Sequence, residues 1–227
     1  MRHALCCVIC LSACARWTAA AKIPSSDPPK PDVTVVLDFK GTHSASSDRE
    51  MQHETEGIIK DSGLHLQWRT VNEALHNFYT DLVIVRFRGA CTFEADPNIY
   101  DELGPPGALA FTYTTNGEVQ PFSEVACDRV AASVRSAMWG SDFARSDMLM
   151  GRALGRVVAH ELVHMLTKSG EHGEQGVGKP ALSGKQLISD SFPLSRADSH
   201  RLRVDYALRL NSARRLRNAV PVSDRTP

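Results

Sequence analysis

The sequence predicts an α+β domain, and three observations carry that expectation. Runs of β-branched and apolar residues, such as Val33 to Phe39 and Leu82 to Val85, read as buried strands. Longer segments with apolar residues three and four positions apart read as helices between and after them. Asn116-Gly117, flanked by extended segments, reads as a tight turn that folds one strand back on the next. The chain has 227 residues, 42% of them hydrophobic, which is enough for one domain with a real core.

Taken in order, the fold opens with the strand Val33 to Phe39. A helix follows from Asp48 to Ser62, with Ser47-x-x-Glu50 as a capping box, Met51, Thr55, Ile58 and Ile59 as its inner stripe, and Gly63 as its stop. Leu64 to Thr70 alternates as a second strand. Asp81 to Phe87 has the continuous apolar character of a central one. Asp96 to Gly107, with Pro97, Pro105 and Pro106, is a loop. Ala108 to Thr115 is a strand whose turn returns through Glu118 and Val119. A helix is expected from Ser123 to about Met138, with Cys127, Val130, Ala131 and Val134 on one face. Ser146 or Asp147 would cap a long helix ending near Thr167, along which Gly151, Gly155 and Ala159 form a line of small residues suited to close packing. The last helix, Ser195 to Asn218, turns Leu202, Tyr206, Leu210, Ala213 and Leu216 inward. No internal repeat is present.

The long helix carries the chemistry. In Val157-Val158-Ala159-His160-Glu161-Leu162-Val163-His164-Met165-Leu166, His160 and His164 stand one turn apart on one face, so their imidazoles can converge on one metal ion. Glu161 lies about 100° round, where its carboxylate can act as a base on a water at that metal. The alternative is a core helix with two satisfied histidines, but that arrangement would also bury Glu161, which is costly without a partner. A catalytic zinc site uses three protein ligands and an open position. His172, in the glycine-rich stretch Ser169 to Gly178, is the expected third ligand, with Glu171, Glu174 and Asp190 as competitors. His200 is remote among arginines, and His43, His53, His65 and His76 show no ligand pattern.

Arg2 and His3 precede an apolar run, Ala4 to Leu11, that is too short to span a bilayer and reads as an export signal over residues 1–21. Two processing sites compete. Leu11-Ser12-Ala13-Cys14 has the form of a lipobox that would place a lipid and membrane attachment at Cys14, and is slightly favoured; Ala19-Ala20-Ala21 offers ordinary cleavage. Residues 22–32, with Pro24, Pro28, Pro29 and Pro31, form a tether, residues 33–220 one domain, and residues 221–227 a frayed tail. The expected destination is the periplasm, cell envelope or extracellular space. Four of the six cysteines fall within the signal, leaving Cys91 and Cys127 as an even pair for a disulfide in an oxidising compartment; two buried free thiols are the alternative. Lys plus Arg and Asp plus Glu both number 26, so no global field favours nucleic acid. Seven arginines between Arg196 and Arg217 are read as a solvated helix face in preference to a docking patch for an acidic partner.

With His160-Glu161-x-x-His164 and His172 in place, the chain resembles the zincin metallopeptidases, and among them the metzincin branch is nearest in layout. That resemblance implies a zincin-like mixed β-sheet with an antiparallel edge strand over the cleft, assigned to Ala108 to Thr115, where an extended peptide could add as a strand. It also implies one Zn²⁺ ion on His160, His164 and His172, Glu161 as general base, and a peptide or protein substrate. Two departures stand out: Thr167 and Gly170 occupy the positions where metzincins place a glycine and their third histidine, and no methionine follows Met165 to form a Met-turn. The wider pattern His-Glu-Leu-x-His-x-Leu-x-x-Ser-x-x-His-x-x-x-Gly looks more like a group of uncharacterised exported bacterial proteins with an H-E-x-x-H core. A zincin-fold protein that binds zinc without turnover, or a hydrolase of another amide or ester, remains as the alternative.

Overall fold

The structure, a computed structural model, describes residues 32–93 and 107–219. The expected signal with Cys14, nearly all of the tether, most of the Asp96–Gly107 loop and the tail lie outside the described residues, as do the inward contacts expected of Ala213 and Leu216.

Alternating β-branched residues build a five-stranded sheet from β1 (Asp32–Phe39), β2 (His65–Thr70), β3 (Leu82–Arg88), β4 (Ala110–Thr115) and β5 (Glu118–Ala126). The spatial order is β2-β1-β3-β5-β4. β1 pairs in parallel with β2 and β3, and β3 in parallel with β5. β4 runs antiparallel to β5 at the edge, which gives the mixed sheet with an antiparallel edge strand that the resemblance implies. β3 is the middle strand, and its Val83, Val85 and Phe87 are fully buried with Val33 and Val35 of β1. Asn116 and Gly117 take φ values of +53° and +81°, the conformation a two-residue hairpin turn demands.

The helices depart from expectation mainly at their first residues. α1 spans Ala45–Ile59, starting three residues early, and its cap is Ser44, whose hydroxyl accepts from the Ser47 amide at 3.1 Å. Ser47 is buried inside the helix and caps nothing. Asp147 ties down this start, its carboxylate accepting from both Ser44 and Ser46 at 2.7 and 2.8 Å. A 3₁₀ turn, Lys60–Ser62, then leads to Gly63, which ends the segment at φ +75° as expected. α2 (Val71–Ala74) is a single capped turn after β2.

α3 spans Cys127–Ala137, so the helix expected from Ser123 begins four residues late. Ser123 to Ala126 instead complete β5, because parallel pairing with β3 satisfies their backbone groups and Glu124 pairs with Arg88 at 3.0 Å. α4 (Ser146–Thr167) is capped by neither Ser146 nor Asp147, since a 3₁₀ stretch, Gly140–Arg145, runs directly into it. α5 (Gly184–Ile188) and α6 (Arg196–Ala219) complete the fold, with Leu202 and Tyr206 of α6 buried. Arg209 ties α6 to the domain through Asp81 at 2.7 Å and Arg201 reaches Glu171 at 3.5 Å, while Arg196 and Arg203 are solvated.

α4 is the spine of the molecule and its small-residue line has a clear cause. A Cβ on Gly155 would come within 2.8 Å of the Met51 carbonyl and 2.7 Å of the Glu54 Cβ, and one on Gly151 would collide with the Ser47 carbonyl, so α1 and α4 touch backbone to backbone. Thr55 of α1 adds a hydroxyl bond to the Gly155 carbonyl at 3.1 Å. Arg156, wholly buried, bonds Glu54 at 2.7 Å and the Ser189 carbonyl at 2.6 Å, which locks α1, α4 and the turn after α5 together. The result is a motif helix held rigidly on both flanks, as a metal site requires.

Cys91 and Cys127 form a disulfide with Cα atoms 4.7 Å apart, joining the segment after β3 to the first residue of α3. For a separation of 36 residues the chain-entropy relation gives a stabilisation of about 3–4 kcal/mol. Replacing both cysteines with alanine should lower unfolding free energy by about that amount in denaturant titration. Thiol titration of the unfolded, unreduced chain without residues 1–21 should find no reactive cysteine. Two reactive thiols would refute the bridge.

Candidate metal centre

The three histidines expected from sequence meet at one point. Each offers a ring nitrogen, and the three nitrogens all lie within 4.8 Å of one another, the single such group of metal-binding side chains among the described residues. His160 and His164 come from one turn of α4, and His172 from the loop after it. The helix stops at Thr167 because Lys168 enters the left-handed region at φ +55°, which redirects the chain back beneath the histidines.

The tautomers follow from the partners. His160 Nδ1 lies 2.8 Å from the Val177 carbonyl and His164 Nδ1 lies 2.7 Å from the Ser169 carbonyl. A carbonyl only accepts, so each Nδ1 carries the hydrogen and each Nε2 presents a lone pair. Those two Nε2 atoms face each other at 3.1 Å. Two lone pairs so close repel unless a cation sits beside both. Nitrogen ligands about 2.0–2.1 Å from a tetrahedral zinc are separated by about 3.3 Å, so the spacing fits that ion. Burial holds His160 down to about 4 and lowers His164 as well, which keeps both rings in the neutral form that ligates.

Glu161 follows His160 on the same turn and faces β4, lining the same cavity as the histidines. Its carboxylate is buried and accepts a hydrogen bond from the Thr112 hydroxyl of β4 at 2.6 Å. Burial pushes its pKa up to about 7, against the Thr112 bond, which lowers it. A buried carboxylate with one donor and a raised pKa has the properties of a proton acceptor for a nearby water.

The edge strand and the loop enclose a cleft over these groups. One cavity of about 270 Å³ is lined by Thr112, Glu161 and all three histidines. A second, of about 150 Å³, continues past His160 and Glu161 between Leu109, Val157 and Leu182. Residues of β4 line both, and among the described residues no strand pairs with its outer edge, so an extended chain could lie along it beside Glu161.

The competing ligands are engaged elsewhere. Glu171 reaches Arg201 at 3.5 Å, Asp190 pairs with Arg152 at 3.1 Å, and Glu174 is exposed and outside the histidine group. His43 stacks on Phe39, His65 pairs with Asp32, and His53, His76 and His200 are solvated. Sequence reasoning missed Thr112 and the carbonyls of Ser169 and Val177. A threonine in an alternating strand carries no sign of its partner 49 residues away, and a carbonyl acceptor has no side-chain signature at all.

No protein-family model and no curated protein sequence matches the chain. Among solved structures it is similar to the crystal structure of archaemetzincin from Methanopyrus kandleri, with a TM-score of 0.48 and 10% identity over 80% of this chain and 99% of that chain.

Proposed function

We propose that this protein is an exported, zinc-dependent metallopeptidase. The observation that carries the reading is the convergence of three histidine nitrogens, two of them with lone pairs facing each other, beside a buried carboxylate in a cleft bordered by the edge strand β4. His160, His164 and His172 are the ligands. Three imidazole ligands with an open position suit Zn²⁺ in its catalytic form, and the ion would supply a water with a pKa of about 7 and a Lewis acid for the scissile carbonyl.

The protein's own groups do the rest. Glu161 takes a proton from the attacking water and hands it to the leaving amine. Thr112 holds the carboxylate while it does so, and β4 orients the substrate backbone by hydrogen bonding. An open cleft with Glu161 in its wall supports catalysis over a purely structural metal, and the strand edge supports a peptide over a small ester. Export, with a lipid on Cys14 as one outcome, rests on the first 21 residues of the sequence.

The test is metal content followed by cleavage. The purified protein should hold one zinc per chain and cleave members of a broad peptide library. A chelator should abolish cleavage and added zinc restore it. One bound zinc without any cleavage would favour the non-catalytic reading, and no bound metal would end both.

A further inference from the structure

One loop orients every ligand of the proposed centre. Ser169 offers its carbonyl to His164, Val177 offers its carbonyl to His160, and His172 lies between them. The loop is closed by the Gly173 amide bonding the Gly178 carbonyl at 2.7 Å, and its far side is pinned where the Val177 amide meets the Pro193 carbonyl at 3.1 Å. What lies under the closure is a carboxylate from another element. A Cβ on Gly178 would stand 2.7 Å from Asp198 Oδ2, and one on Gly173 would fall inside the same carboxylate. Asp198 is 5% exposed. It is fixed in place by the Ser195 hydroxyl, which donates at 2.7 Å, and by Arg201 at 3.2 Å. Arg201 also reaches Glu171, the residue before His172.

We infer that Asp198 is a positioning residue for the metal centre: its carboxylate is the surface on which Gly173 and Gly178 seat the loop, and metal affinity depends on that seat although Asp198 touches no ligand. This explains the two glycines. Neither has a positive φ, so the backbone does not require glycine there; the close approach of the carboxylate does. It also brings α6, more than twenty residues past the last ligand, into the centre. The inference rests on His172 being a ligand.

The measurement is zinc affinity, by competition with a chelating indicator, alongside the thermal midpoint of the metal-free protein. Gly173→Ala and Gly178→Ala should each weaken zinc binding about tenfold or more, the size expected when support behind a ligand is lost. Gly170→Ala, in the same loop but with nothing within 4 Å of its Cβ, should stay within about twofold. Asp198→Ala should weaken binding about tenfold, and Asp198→Asn, which keeps the shape, should restore most of the loss. In the Asp198→Ala background, Gly173→Ala should add no more than about twofold, because its obstacle is gone. Should Asp198→Ala fail to fold, the comparison of Gly173 and Gly178 with Gly170 decides alone. Wild-type affinity in both Gly173→Ala and Gly178→Ala overturns the inference. If His172→Ala itself binds zinc like wild type, the fault lies in the ligand assignment; if His172→Ala loses zinc while the glycine variants keep it, only the role of Asp198 falls.

Discussion

Glu161→Gln should keep the fold and the zinc and lose hydrolysis by about 10²–10⁴-fold, the span that general base catalysis contributes. Glutamine matches glutamate in shape, and its amide oxygen can still accept from the Thr112 hydroxyl, so the contact between β4 and α4 survives. An amide cannot take a proton from water at neutral pH, so turnover does not. The assay is chelator-sensitive cleavage of the same peptide library, with metal content and thermal midpoint measured on the same preparation. A variant that cleaves at the wild-type rate would remove Glu161 from the mechanism. A variant that loses stability instead, with its zinc and its rate of cleavage kept, would mark Glu161 as a structural carboxylate.

His172→Ala should weaken zinc binding by about 10²-fold or more. A zinc site stabilised by about 10–16 kcal/mol over four ligands assigns about 3 kcal/mol to each, and two histidines on one turn leave the ion half-enclosed. His160 and His164 keep their carbonyl partners in this variant, so they remain correctly oriented and only the third ligand is missing. Competition with a chelating indicator gives the affinity directly. Unchanged stoichiometric zinc would transfer the third position to another group, of which Glu171 is nearest in sequence and is already committed to Arg201.

The corrections have one physical pattern. Ser44, Ser46 and Ser47 are equally good caps by local rules, and the earlier start is tied down by Asp147, about a hundred residues later, which accepts from Ser44 and Ser46. Ser123 followed by Glu124 looks like a helix start, but a vacant place beside β3 offers their backbone a full ladder and they extend β5 instead. In both cases several local solutions differ by about 1 kcal/mol, and a tertiary contact outweighs the difference.

What the sequence determined by itself is whatever depends on spacing within one element. A spacing of four positions from His160 to His164 places them on one face of a helix, Asn116-Gly117 between two extended segments favours a hairpin turn, and a repeat of small residues at Gly151 and Gly155 marks a helix that can approach a neighbour closely. Only the tertiary structure decided what each of those faces meets. It brought His172 from a loop to the two helical histidines, set Thr112 against Glu161, and slid Asp198 beneath Gly173 and Gly178. The physical reason is that orientation within a turn is fixed by backbone geometry, whereas partners across the core are selected by the shape and hydrogen-bonding capacity left over when every other element has packed.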